Sequence, residues 1–258
     1  MNNLNLKNIT EELLDTFLTA GKIAKEISAR GVKVTIKSDK SPVTDGDLAV
    51  DQLLRSKITN LTPNIPIISE ETVDLEVKNK NKNFWLIDPI DGTKDYIKKK
   101  DEYTLNAALI IDLKPAAGIV YAPVKDRLFF SYGNNFAFEI SNGKRKSLSC
   151  KKINPNEIIG LINSDKVPIE VLNIHKKFKV SKIIKMSSSL KFCILASGEA
   201  DIYAAKARAF EWDIAAGHTI LEHSGGSVTT HEEKEFLYGK DGYKNLPIIA
   251  KRAKNLED

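Results

Sequence analysis

The sequence predicts a mixed α+β and α/β architecture, two lobes facing a shared cleft. Three observations carry that prediction. In the first half, two amphipathic helical patterns precede a run of strand patterns separated by Gly- and Asn-rich turns. Beyond about residue 150, short apolar strands alternate with helices, as in an α/β layer. Acidic residues stand at strand ends and helix starts in both halves, where open sheets place their ligands. The expected division is 1–150, an α+β lobe holding most of those acids, and 151–258, a smaller α/β lobe.

Thr10 with Glu11 and Glu12 predicts a helix start. Leu13, Phe17, Ala20, Ala24 and Ile27 follow at helical spacing, and Gly31 ends the helix. Val32 to Ile36 alternates like a strand, and 37–42 reads as loop. Thr44-Asp45-Gly46-Asp47 opens a second helix with Val50, Leu54 and Ile58 inward. Capping alone would explain Thr44 and Asp47. Asn64 to Ile68 is a strand interrupted by Pro66, leading into Ser69-Glu70-Glu71, and Val73 to Lys82 is a charged loop.

Phe84 to Ile87 reads as a buried strand ended by the tight turn Asp88-Pro89-Ile90-Asp91-Gly92. Strands follow at 103–113, 117–122, 127–132 and 135–140, an antiparallel meander expected to carry no cluster of chemical groups. The pattern changes around Lys151-Lys152-Ile153-Asn154-Pro155. Strands are then expected at 158–163, 183–186, 200–204 and 247–250. The helices between them cover 169–178, the stretch from Ser188 to Gly198, and a segment from Glu211 to Gly225-Gly226. Within the last helix, Trp212 reads as a packing residue, His218 as a core or capping residue, and Asp213 at its start as a cap.

Composition excludes several classes. Hydrophobic content of 42% fits a globular core, and no apolar run approaches a membrane span. The net charge of +5 is spread along the chain and accompanies no recognition module, so a nucleic-acid partner is not expected. The isolated Cys150 and Cys193 fit a reducing compartment. The first residues lead into an acidic helix rather than a basic-then-apolar signal, and a cytoplasmic protein is expected.

The chemistry concentrates at Asp88 to Asp95. Asp88 and Asp91 flank Pro89, so both carboxylates can face one point, and Gly92 lets the backbone pass close to a ligand. Thr93 to Asp95 looks like the first turn of a helix. Acids without accompanying His or Cys select a hard, oxygen-loving cation, Mg²⁺ before Mn²⁺ or Ca²⁺. Carboxylates for such an ion beside N–H donors for a phosphate suit metal-assisted phosphate chemistry.

Asp88-Pro89-Ile90-Asp91-Gly92-Thr93 resembles the signature of the inositol monophosphatase superfamily, the Mg-dependent, lithium-sensitive phosphatases. Lys94-Asp95-Tyr96-Ile97 and Glu102-Tyr103-Thr104-Leu105-Asn106 are more similar to its CysQ-type branch, the 3'(2'),5'-bisphosphate nucleotidases of sulfur metabolism. Ser41-Pro42-Val43-Thr44 with Asp47, Ser69-Glu70-Glu71, and Trp212-Asp213-Ile214-Ala215-Ala216-Gly217 agree in order, so the likeness runs from about Lys37 to Gly226. It implies a layered αβαβα sandwich of the inositol monophosphatase and fructose-bisphosphatase type.

It also implies two Mg²⁺ ions bridged by Asp88, with Glu70 and the Ile90 carbonyl on one, and Asp91 and Asp213 on the other. A third, weaker ion would sit near Glu70. Asp47 and Thr93 would orient the attacking water. Substrate would lie against Glu70, Ile90, Asp91, Gly92, Thr93 and Asp213, with Ser189 and Lys191 of Ser187-Ser188-Ser189-Leu190-Lys191-Phe192-Cys193 near the nucleotide.

The branch usually carries Gly where Ser187 stands, and an Arg-Phe-Gly-Pro-Thr run where this chain has Ala205-Lys206-Ala207-Arg208-Ala209. The second departure removes the usual arginine, which Lys206 or Arg208 would have to replace. The expected activity is removal of the 3'-phosphate of adenosine 3',5'-bisphosphate, and of its sulfated form. The alternatives are an inositol or sugar monophosphate phosphatase and, more distantly, a non-catalytic phosphate- or RNA-binding protein. The expected partner is a small-molecule phosphate ester. Homodimers are usual in the family, and some members lie at the inner face of the cell membrane; no stretch of this chain demands either.

Overall fold

The computed structural model describes residues 5–37, 40–77, 79–150, 154 and 156–253. The expected change of pattern at 151–155, apart from Asn154, lies outside the described residues, as do Met1–Leu4, Ser38, Asp39 and Lys78 of the expected loops. In chain order the elements of the first half are α1 (Leu6–Arg30), β1 (Val34–Ile36), β2 (Pro42–Thr44), α2 (Asp45–Leu61), β3 (Ile67–Ser69), β4 (Phe84–Asp91) and α3 (Thr93–Ile97). There follow β5 (Thr104–Ile111), β6 (Lys114–Ala122), β7 (Arg127–Ser131), β8 (Ala137–Ser141) and β9 (Lys144–Ser147). The second half has β10 (Ile158–Ile162), α4 (Ile169–Lys177), β11 (Val180–Lys185), α5 (Leu190–Ser197), β12 (Ile202–Ala205), α6 (Glu211–His223), β13 (Ser227–Thr230) and β14 (Ile248–Lys251).

These elements stack in five layers. A seven-stranded sheet runs β3-β4-β5-β6-β7-β8-β9, parallel only between β3 and β4. A five-stranded sheet runs β11-β10-β12-β14-β13. Strand alternation splits the seven-stranded sheet cleanly. Trp85, Ile87, Leu105, Ala107, Leu109 and Ile119 pack with Leu13, Phe17, Val50, Leu54 and Ile58 of α1 and α2. Phe84, Leu86, Ala108, Val120 and Phe129 face the opposite way and share one apolar cluster with α5, α6 and the second sheet. On the far side, Val171 and Phe178 pack with Ile158, Ile202 and Ile249. The order is αβαβα, as expected. Each large side chain fully buried in these layers contributes about 1.5–3 kcal/mol.

Close approach of α6 depends on Gly118 of β6. A Cβ there would stand 2.8 Å from the Ala216 carbonyl oxygen and 2.9 Å from Thr219 Cβ. Residue 118 must therefore be Gly for the middle layer to seat.

Several boundaries differ from expectation. α1 begins a turn earlier than Thr10, because Asn5 caps it by accepting the Asn8 N–H at 3.1 Å. Its apolar phase extends back to the buried Ile9, so Thr10, Glu11 and Glu12 lie inside the helix. The strand expected at Val32 shortens to β1, exposed throughout and paired only with β2. β9 is an unanticipated strand, all exposed Lys, Arg and Ser on the sheet edge, where charge discourages further pairing. β13 was also unanticipated, being four residues after Gly225-Gly226.

The meander does carry a chemical cluster. Arg127 bridges buried Glu139 at 2.6 Å and Glu199, just beyond α5, at 2.5 Å. That pair of ion pairs ties the first sheet to the middle helical layer.

Candidate active site

The acid segment is not a turn that ends its strand, as the sequence implied, but a bulge inside a continuing one. Asp88 pairs with Asn106 of β5, and Asp91 with Thr104, with a register shift between them. Three steps on β4 thus match two on β5, which is one extra residue. In a regular strand, positions three apart face opposite sides. The extra residue returns Asp91 to the face of Asp88, toward α6, and leaves Ile90 packed on the α2 side. Gly92 then turns at φ 95°, a left-handed conformation that glycine adopts without strain, and leads into the short helix α3.

Two other segments deliver carboxylates to this point. Parallel pairing of β3 with β4 places Glu70 beside Asp88, and the Glu70 N–H donates to the Ile87 carbonyl at 3.1 Å. The Ser69 hydroxyl donates to Asp51 of α2 at 2.5 Å, which anchors the same turn. From α6 comes Asp213, whose Oδ2 accepts the Phe210 N–H at 2.8 Å. The cap position itself is held by Phe210; Asp213, three residues on, reaches back to its N–H rather than capping the helix, and its carboxylate also enters the cluster. One oxygen each from Glu70, Asp88 and Asp213 lie within 4.8 Å of one another.

Such crowding is unfavourable without a cation. Burial, reinforced by the neighbouring acids, pushes Asp88 and Asp213 well above the usual carboxylate range. Burial also raises Glu70 to about 7, with Lys37 opposing the rise. Asp91 rises by burial to about 6, restrained by Lys191, the Ser189 N–H and Arg208. Asp88 Oδ1 is buried with no hydrogen-bond partner among the described residues. An orphaned carboxylate oxygen amid converging acids fits a hard divalent cation, with Glu70, Asp88 and Asp213 as its nearest donors.

The Thr93 hydroxyl lies 3.4 Å from Asp47 Oδ1 and 3.2 Å from the Ile90 carbonyl. Asp47 is buried at the start of α2. Its Oδ2 accepts the Thr44 N–H at 2.8 Å and the Thr44 hydroxyl at 2.5 Å. One carboxylate thus closes the capping box of α2, whose cap is Thr44, with one oxygen and reaches Thr93 with the other.

Lys191 is buried on α5, its ammonium donating to the Ser188 carbonyl and standing 5.1 Å over the Tyr203 ring. Burial lowers its pKa to about 8 against the pull of Asp91. Lys206 is paired with Glu170 of α4 at 2.9 Å. Arg208 lines the cleft and acts electrostatically on Asp91 and Lys191. The Ser189 hydroxyl is buried away from the cleft wall, against Thr104 and Asn106.

A cavity of about 650 Å³ opens from the acids. Gly92, Thr93, Val167, Tyr203 and Ala205 are among the residues that line it. Trp212 stacks on Phe210 at 4.7 Å, and His218 bonds the Tyr238 hydroxyl at 2.7 Å, both in packing roles as expected.

Sequence reasoning missed Lys37, which pairs with Glu71 at 2.7 Å and approaches Glu70 at 3.7 Å. Burial lowers its pKa, but the two acids outweigh burial and the net shift is upward. Its place at the end of a strand pattern, just before Ser41-Pro42-Val43-Thr44, was the available signal. Glu102 was missed as well; it accepts the N–H of the cleft-lining Ser187 at 2.9 Å.

Residues 5–256 match the sequence profile of the inositol monophosphatase family. The 3'(2'),5'-bisphosphate nucleotidase CysQ of Buchnera aphidicola is 36% identical over 233 residues, 87% of each chain. The same-named protein of Escherichia coli K12 is 34% identical over 206 residues, 80% of this chain and 82% of that one. The crystal structure of CysQ from Bacteroides thetaiotaomicron superimposes with a TM-score of 0.78 at 27% identity, covering 96% of this chain and 98% of that one.

Proposed function

This chain belongs to the inositol monophosphatase family, and from that membership we propose that it is a Mg²⁺-dependent phosphomonoesterase acting on adenosine 3',5'-bisphosphate. It removes the 3'-phosphate to leave AMP and phosphate. The observation that carries the mechanism is the meeting of Glu70, Asp88 and Asp213 oxygens within 4.8 Å, from three segments distant in sequence. The substrate class rests on the bisphosphate nucleotidase relatives at 34–36% identity.

Glu70, Asp88, Asp91, Asp213 and the Ile90 carbonyl would hold two Mg²⁺ ions, with a third, weaker one near Glu70. When bound, these ions supply charge neutralisation of the phosphoryl oxygens and a lowered water pKa. Thr93, steadied by Asp47 and the Ile90 carbonyl, orients the attacking water through its hydroxyl. The backbone N–H groups of Gly92 and Thr93 donate to the scissile phosphate. No residue becomes phosphorylated, since water attacks directly.

The second phosphate of the substrate needs a cation on the opposite wall. Lys206 is engaged by Glu170, so Lys191 and Arg208 take that role. Arg208 compensates for the arginine that the Ala205-Lys206-Ala207-Arg208-Ala209 segment lacks at its usual place. Among the described residues no helix is long and apolar enough to cross a membrane, and the proposed location is the cytoplasm.

The loss of the usual arginine favours one competing substrate class, inositol or sugar monophosphates. Phosphate release from adenosine 3',5'-bisphosphate, its sulfated form and inositol 1-phosphate, each with and without Mg²⁺ and Li⁺, separates them. Mg²⁺-dependent, Li⁺-inhibited preference for the bisphosphates is expected. Equal or reversed preference defeats the substrate assignment, and release without a divalent ion defeats the mechanism.

A further inference from the structure

We infer that Ser189 is a positioning residue for Asp91, held in place by Thr104 and Asn106, rather than a residue that touches substrate through its hydroxyl. The three side chains close a ring. The Ser189 hydroxyl donates to Asn106 Oδ1 at 2.6 Å and so accepts from the Thr104 hydroxyl at 2.9 Å. The Asn106 amide completes the circuit by donating to Thr104 Oγ1 at 3.4 Å. Each member gives one hydrogen bond and takes one, an arrangement in which the bonds polarise one another. All three residues are buried, Thr104 at 0% and Asn106 and Ser189 at 1% exposure.

From this ring a single group leaves toward the acids. The Ser189 N–H donates to Asp91 Oδ2. Register explains the reach: Thr104 and Asn106 are the β5 partners of Asp91 and Asp88, so the ring stands beside both carboxylates on the same face of the sheet. The bulge that brings Asp91 to this face also leaves its backbone irregular. A donor from the other half of the chain then sets the rotation of its carboxylate.

The ordinary use of a serine here is ruled out by its contacts. Ser189 is the N-terminal flanking residue of α5, where a serine side chain usually accepts from the first free N–H groups. Its side chain makes no such bond. Nor does Ser189 line the cleft, although Ser187, Ser188 and Lys191 on either side do. The N–H and C=O of the trans peptide between Ser188 and Ser189 point opposite ways, the first to Asp91 and the second to Lys191, and Ser188 before it is left-handed at φ 55°. The hydroxyl has no remaining donor for a ligand.

This inference rests on the proposed metal binding by Asp91 but not on the identity of the substrate. The test is titration of the full-length, metal-free protein with Mn²⁺ followed by its electron paramagnetic resonance signal, with kinetics alongside. Ser189→Ala and Thr104→Val are each expected to weaken Mn²⁺ binding about 10- to 100-fold, as when a group supporting a metal ligand is removed. Both should lower kcat with little change in KM, and the double variant should be no weaker than the worse single one. Thr104→Ser, which keeps the hydroxyl, should restore binding.

A rise in KM with unchanged Mn²⁺ affinity in Ser189→Ala overturns the inference in favour of a substrate contact. Wild-type affinity in Thr104→Val denies the ring any part in holding Asp91. Ser189→Ala deletes one oxygen and decides the matter alone should Thr104→Val fail to fold. A wild-type chain that binds no Mn²⁺ defeats the metal assignment instead, so the two failures are distinct.

Discussion

Thr93 and Asp47 are 46 positions apart, yet the Thr93 hydroxyl stands 3.4 Å from Asp47 Oδ1, while the other oxygen of that carboxylate accepts the N–H of Thr44, the cap of α2. A contact that closes the start of a helix and the proposed catalytic contact share one side chain. Thr93→Val separates the two duties, because it removes the hydroxyl proposed to orient water and leaves the start of α2 untouched. The expected result is a fall in kcat of about 10²- to 10⁴-fold, the range for loss of a positioned proton-handling group. Mg²⁺-induced stabilisation should persist. Asp47→Ala should match the kinetic loss and also cost about 1 kcal/mol of stability for the lost half of the capping box, read from denaturant melts.

Metal removal should destabilise the protein. With the ions gone, the buried acids repel one another across the cluster, and Asp88 Oδ1 has no hydrogen-bond partner among the described residues. Mg²⁺ at a hundred times its Kd should add about 2.7 kcal/mol, or roughly 5–10 °C in Tm for a chain of this size. Asp88→Asn relieves part of the repulsion, so its metal-free form should melt above the metal-free wild type. Added Mg²⁺ should then shift its Tm hardly at all. Scanning calorimetry in EDTA and in Mg²⁺ reads both effects.

Arg208→Ala tests how this chain manages without the usual arginine. Loss of a charged contact to the second phosphate should raise KM for adenosine 3',5'-bisphosphate about 10- to 100-fold, the equivalent of a 1.5–3 kcal/mol charged hydrogen bond. Inositol 1-phosphate has no second phosphate, and its KM should move far less. Equal losses on both substrates would return Arg208 to a general electrostatic role.

His223 should make stability fall in acid. Burial lowers its pKa from 6.5 to about 4, with His218 adding to that and Glu222 opposing it. The neutral ring accepts the Gly133 N–H at Nδ1, 3.2 Å away, a bond that protonation destroys. The unfolded chain takes up this proton first as the pH drops, so the contribution is complete above 6.5 and is lost progressively toward pH 4. Its size is about 3 kcal/mol, because each tenfold loss of proton affinity on folding is worth about 1.4 kcal/mol. The unfolding free energies of wild type and His223→Gln, compared from pH 7 to 4, should converge by that amount as the pH falls.

Much of the architecture was legible because it is periodic. Leu13, Phe17, Ala20, Ala24 and Ile27 mark a helical face, and Phe84 to Ile87 a strand buried on both sides, without reference to anything distant. The acids were legible as a set because Asp88, Asp91 and Thr93 lie in one short stretch whose pattern names a family. β9 was not, since a strand of exposed Lys and Arg has no apolar alternation to read.

By itself, the sequence determined the five-layer order, the acidic cluster suited to a metal and the family to which the chain belongs. Only the tertiary structure decided which faces the acids take. The bulge between Asp88 and Asp91 is defined by β5, and Ser189 meets Asp91 across 98 positions of chain. Lys37 reaches Glu71 in the same way, from a hairpin 34 positions away in number. The reason is physical. Periodicity records how each residue meets its immediate neighbours, whereas register, bulges and buried polar rings are set by the balance of contacts between segments that come together only when the chain folds.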